Sequence, residues 1–160
     1  MSFVIWFLLT AIGVSDAQRH RIPNQLIVFL FVAVSVDILL QTEMQWWFQL
    51  KGFLITFAVC LGLYVCKVMA GGDVKLLAVI GLWLGTEAML EVTPYIVLAG
   101  GVMSLFYLAL HTASSYETIA EQLKAYAIQK LTPGWRAKQP LVIPFAPAIV
   151  VGLAYYFYIQ

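Results

Sequence analysis

The chain is a series of apolar runs, each about a membrane thickness long, with most of its charge near their ends or in the breaks between them. A spanning helix needs roughly 20 such residues. Six segments qualify: about Ser2 to Arg21, Pro23 to Leu40, Trp47 to Val68, Asp73 to Met89, Pro94 to His111, and Pro140 to Ile159. Apolar residues make up 62% of the chain and charged residues only 11%, where a soluble domain is nearer half and a quarter. Too little polar surface remains to cover a globule in water. The expected class is an all-α polytopic membrane protein with about six transmembrane helices, one domain over residues 1–160.

The first run lacks a basic start and an A-x-A cleavage site, so it reads as a retained helix, not a leader. Pro23 suits a first helical turn, where its missing N–H costs nothing. Pro144 and Pro147 should kink the last helix. The one long polar stretch, residues 112–139, carries Ser114 and Glu117 at capping-box spacing. It also has Ile119, Leu123 and Tyr126 at helical spacing. It fits an amphipathic helix on the membrane surface, and equally a solvated connector.

Charge placement sets the topology. Arg19 and Arg21 follow the first helix, Lys67 and Lys75 lie between the third and fourth, and Lys124, Lys130, Arg136 and Lys138 lie between the fifth and sixth. The opposite side holds Lys51 with Glu43, Glu87 and Glu91. The positive-inside rule puts the basic side in the cytoplasm and both termini outside, with Trp46 and Trp47 in an outer aromatic belt. The net charge of +1 and the lack of a basic run give no reason to expect a nucleic-acid partner.

This topology places Asp16 and Asp73 at one depth, near the cytoplasmic face. A single carboxylate at a helix end often caps the helix or pairs with a base. Ionisable groups near membrane depth are also rare and usually functional. Two carboxyls that approach each other share a proton. One then takes a proton from water while the other gives one to a carbonyl or leaving amine. That is aspartic-peptidase chemistry, and it needs no metal. No His, Cys or carboxylate spacing suggests a metal or cofactor. Gly71 and Gly72 would let another backbone come close beside Asp73.

The stretches "SDAQRHRIPNQL" (15–26) and "AGGDVKLLA" (70–78) resemble the two active-site motifs of the type IV prepilin peptidase family, and "IPFAPAIVVG" (143–152) resembles its proline-containing last helix. The resemblance implies a membrane aspartyl endopeptidase that cuts the basic leader from prepilins or pseudopilins at the cytoplasmic face of the bacterial inner membrane. It implies Asp16 and Asp73 as the catalytic pair. Pro23 and Asn24 belong to the first motif, and Gly71, Gly72 and Lys75 to the second. One position departs: the pattern G-x-G-D places glycine where this chain has Ala70, which is tolerable unless residue 70 needs a positive φ. Larger members carry a cytoplasmic insertion with CxxC pairs and methylate the new pilin N-terminus. A few residues join the first two helices here, with no CxxC, so no methyltransferase activity is expected. The compact form resembles the peptidases of tight-adherence (Flp) pilus systems.

Other features have plainer readings. Asp37 and Lys51 suit interface snorkelling or a pair. Gly81 and Gly85 form G-x-x-x-G, which suits close packing within the chain. Cys60 and Cys66, six apart on one helix, point in different directions and should not bridge. Lys75 suits a role beside Asp73. Two other functions compete: a small proton-coupled transporter, and a non-catalytic scaffold of pilus assembly. Transporter sites usually lie near the midplane in repeated halves, and neither trait is evident.

Overall fold

A computed structural model of the protein describes residues 2–19, 21–40, 46–114 and 144–159. Every regular element among them is a helix: α1 (Ser2–Arg19), α2 (Asn24–Leu39), α3 (Trp46–Val65), α4 (Gly71–Ser114) and α5 (Ala146–Ile159). The expected amphipathic helix and the start of the sixth segment at Pro140 lie outside the described residues. The chain divides into two units, residues 1–100 with 144–160, and residues 101–143. The described part of the second unit is helical over residues 101–114.

Among the described residues, two apolar stretches, Trp46–Val65 and Gly71–Leu110, are long enough to cross a membrane, and only 17% of each apolar window is buried inside the protein. Phe3, Trp47 and Val65 are among the large apolar side chains left exposed. Apolar surface on this scale suits lipid, not water. Other helices are short: α2 has 16 residues and α5 has 14, about 24 Å and 21 Å at 1.5 Å per residue.

The inward faces follow helical spacing. Ile5, Leu9, Ile12 and Asp16 are buried along one stripe of α1, and Ile27, Leu30, Val34 and Ile38 along one stripe of α2. α1 packs against both α2 and α5. It runs antiparallel to α5: Trp6 meets Phe157 at 5.6 Å between ring centroids, while Gly13 lies against Pro147 and Val150 at the other end. Trp83 joins Phe157 and Trp6, closing an aromatic cluster at the end away from the aspartates.

The fourth and fifth sequence segments meet differently from expectation. No break falls between Met89 and Pro94; helix continues through Pro94, and the one non-helical residue inside α4 is Gly85, at φ 76°, ψ −179°. Proline is tolerated in an apolar helix where its surroundings re-satisfy the backbone; just before it, the Thr93 hydroxyl donates to the Met89 carbonyl at 2.6 Å. Gly85 instead reverses the chain. Residues 71–84 lead from the aspartate end to Trp83 in the aromatic cluster. The following helix returns: Glu91 accepts the Tyr156 hydroxyl at 2.8 Å, Ile96 backs Gly152, and Gly100 meets Phe145 at the start of α5. Glycine alone readily adopts the Gly85 conformation.

Packing of α3 on α4 depends on the absence of side chains. A Cβ on Gly52 would collide with the Gly81 carbonyl and lie 2.7 Å from the Gly85 carbonyl carbon, and one on Gly81 would lie 2.5 Å from the Thr56 hydroxyl. The G-x-x-x-G of α4 thus packs within the chain. α3 ends earlier than the sequence suggested, at Val65 and not Val68. Lys67 is left-handed at φ 57°, and Val68 N–H donates to Leu63 O while Lys67 N–H donates to Tyr64 O. Those two bonds are a Schellman stop, built here on a lysine in place of the usual glycine.

Replacing Gly85 by alanine is expected to cost about 1–3 kcal/mol, the range for a side chain forced into a glycine-only backbone region. Gly62, whose Cβ would meet nothing within 4 Å, is the control. Thermal unfolding in detergent should show Gly85→Ala well below Gly62→Ala.

Candidate active site

The site forms where five helix termini gather: the C-terminal ends of α1 and α3 and the N-terminal ends of α2, α4 and α5. Asp16 arrives on the buried stripe of α1, eleven residues after Ile5 and four after Ile12, so helical spacing alone turns it inward. Asp73 arrives in the first turn of α4. Each is buried, at 7% exposure, and they lie close enough for the Asp16 charge to act on Asp73.

Asp73 is not the first residue of its helix, as the sequence suggested. α4 begins at Gly71, so Ala70 is the N-cap and Asp73 the third helical residue. Asp73 N–H donates to the Ala70 carbonyl at 3.1 Å, and the Asp73 carboxylate accepts the Ala70 backbone N–H. This is the reach-back half of a capping box. Residue 70 therefore serves the site through its main chain. Its side chain is exposed, and Lys67 is the one non-glycine with positive φ among the described residues. Nothing at position 70 demands a glycine.

The other motif residues meet across the two motifs. Lys75 Nζ donates to Asn24 Oδ1 at 3.0 Å, tying the fifth residue of α4 to the first residue of α2. Pro23 sits at the N-cap of α2, one position before the expected first turn, at φ −63°, and its carbonyl accepts Leu26 N–H. A Cβ on Gly72 would lie 3.3 Å from Ile22 Cβ, and one on Gly71 3.4 Å from the Tyr64 ring. The glycine pair is thus the surface on which the α1–α2 link and the end of α3 rest.

Two neighbours had no clear sequence signal. Ala146 N–H donates to Asp16 Oδ2 at 3.1 Å in a buried contact. Cys60 is buried on α3, where the Asp73 charge reaches its thiol; Cys66 is exposed. Cys60 also lines an apolar cavity of about 230 Å³ with Leu63, Leu77, Ile96 and Phe145. At the far end, Asp37 Oδ2 accepts the Trp83 indole N–H at 3.4 Å, a partner the sequence reading did not name. Lys51 Nζ stands 6.0 Å from the Phe48 ring centre.

These features define an all-helical, lipid-suited protein in which two separate helices bring buried carboxylates together at one end of a bundle. The chain belongs to the type IV leader peptidase family, whose pattern it matches over residues 2–109. It is 30% identical over 154 residues to the prepilin leader peptidase/N-methyltransferase of Bacillus subtilis (strain 168), an alignment covering 92% of this chain and 52% of that protein. The chain thus spans about half the length of that curated relative. No solved structure matches it.

Two outcomes follow from this geometry. Ala70→Gly should leave activity within about twofold of wild type, since the native φ is open to alanine; an initial-rate comparison checks it. Lys75→Met and Asn24→Ala should each destabilise the protein. Their effects should fall short of additivity by about 0.5–1 kcal/mol, as for side chains in direct contact, in a double-mutant cycle of thermal unfolding.

Proposed function

We propose that this chain is a membrane aspartyl endopeptidase that removes the leader peptide from type IV prepilins, with Asp16 and Asp73 as its catalytic pair. The observation that carries the reading is the burial of these two carboxylates, from helices far apart in sequence, within electrostatic reach of each other. Family membership and the activity named for the Bacillus subtilis relative supply the substrate class.

In this mechanism the pair shares one proton. The ionised carboxylate takes a proton from water as its oxygen bonds to the scissile carbonyl carbon. The protonated partner gives its proton to the carbonyl oxygen. The tetrahedral intermediate then collapses: the C–N bond breaks, the proton taken from water passes to the departing amine, and a hydroxyl of the diol returns its proton to the partner carboxylate, restoring the shared proton. The apolar wall of Cys60, Leu63 and Leu77 beside Asp73 suits the apolar part of a substrate.

We further propose six spans, with the Gly85 reversal as the outer turn between the fourth and fifth, both termini outside, and the site facing the cytoplasm of the bacterial inner membrane. The grouping of Arg19, Arg21, Lys67 and Lys75 at the aspartate end supports this orientation. A Flp-type prepilin is the preferred substrate on the motif resemblance. Methyl transfer is not part of the proposal, since these residues hold no CxxC pair.

Asp16→Asn and Asp73→Asn keep shape and remove the acid. Each should lower cleavage of a co-expressed prepilin by about 10²–10⁴-fold, the usual worth of a general acid or base. The wild-type rate should follow a bell-shaped pH profile, its two limbs belonging to the pair jointly. Cleavage that survives either substitution refutes the dyad.

A further inference from the structure

The last helix begins at the first aspartate. Asp16 Oδ2 accepts the backbone N–H of Ala146, the first residue of α5, at 3.1 Å and across 130 residues of sequence. A helix start leaves up to four N–H groups without partners, and α5 has no capping side chain of its own: Phe145 precedes it, and the flanking Pro144 and Pro147 have no N–H. Ile149 N–H donates to the Phe145 carbonyl at 3.2 Å, so the regular ladder starts there. The surroundings are closed. Pro144, Ala146, Ala148 and Ile149 are all buried. Gly13, one turn before Asp16, brings α1 close: a Cβ there would lie 3.6 Å from Pro147 Cα. A side-chain oxygen held by a main-chain donor on a fixed helix end has little freedom to rotate.

We propose that the N-terminus of α5 is a positioning element of the catalytic site: the Ala146 N–H holds Oδ2 of Asp16 and so presents Oδ1 to Asp73 and the attacking water. Asp16 then has two roles, as cap of α5 and as half of the pair. The catalytic part of this inference rests on the peptidase reading; the contact does not.

The test removes one donor. Ala146→Pro deletes the N–H at a position where proline suits the helix, and Ala146→Gly keeps it. With purified full-length protein and a prepilin, Ala146→Pro should lower kcat by about 10–100-fold, as expected when a catalytic group is displaced. KM should stay within about twofold, and Ala146→Gly should stay within about threefold of wild type in kcat. In parallel, ¹⁵N-alanine NMR in detergent follows the Ala146 amide, assigned by its loss in Ala146→Gly. Its proton should shift upfield in Asp16→Ala and hold still in Asp73→Ala. Wild-type kcat in Ala146→Pro overturns the proposal, as does an Ala146 amide indifferent to Asp16→Ala. If Ala146→Pro does not fold, the amide shift decides. If the wild-type protein cleaves no prepilin, the peptidase reading falls and the positioning role with it, while the amide shift still reports whether Asp16 caps α5.

Discussion

The contact on which the structure turns is the buried hydrogen bond from Ala146 to Asp16. It joins the first helix to the last, and it puts a carboxylate where the helix backbone would otherwise present an unpaired N–H. In an apolar solvent such a group is costly. In the proposed membrane setting, lipid would also remove most of the hydrophobic force between helices, since a leucine gains little by leaving lipid for protein. What remains is close packing and polar pairing. The bundle uses both: glycine contacts at Gly52–Gly81 and Gly152–Ile96, and polar links at Asp16–Ala146, Asn24–Lys75 and Glu91–Tyr156. Four of the residues in those links, Asp16, Ala146, Asn24 and Lys75, also belong to the candidate site.

Asp73 shows how structural and chemical readings of a carboxylate can both hold. Its carboxylate reaches back to the Ala70 N–H, as a helix-capping residue would. It is also buried beside a second acid, which capping does not require. The first role fixes the side chain, and a fixed side chain is what proton transfer needs. The same holds for Asp16. Structural caps and reactive groups are often treated as alternatives, but here the helix ends hold the acids in place.

Much of this was legible in the sequence. Apolar runs revealed the helices, and the charges in the breaks marked one end as basic. The stripe Ile5, Leu9, Ile12 and Asp16 can be read directly from 3.6-residue spacing. Reading Asp73 as the partner required the motif and the matched depth. The reversal at Gly85 was not legible, because a glycine inside an apolar run signals close packing as readily as a turn, whereas Pro94 looks like a boundary and is absorbed into the helix. The part played by Ala146 was hidden for a simpler reason. Its contribution is a backbone N–H, and every residue but proline carries one. Ala70 illustrates the reverse: the side chain that breaks the motif faces away, and the main chain that matters is unchanged.

Under the proposed membrane orientation, the shortness of α2 and α5 has a consequence for how water reaches the site. Helices of about 21–24 Å fall short of a hydrocarbon core of about 30 Å. A bilayer around them thins, or its headgroups dip, to meet their ends. On the proposed membrane reading, α2 and α5 both begin at the aspartate end, and a dip of the headgroups at that end would bring interfacial water to the carboxylates.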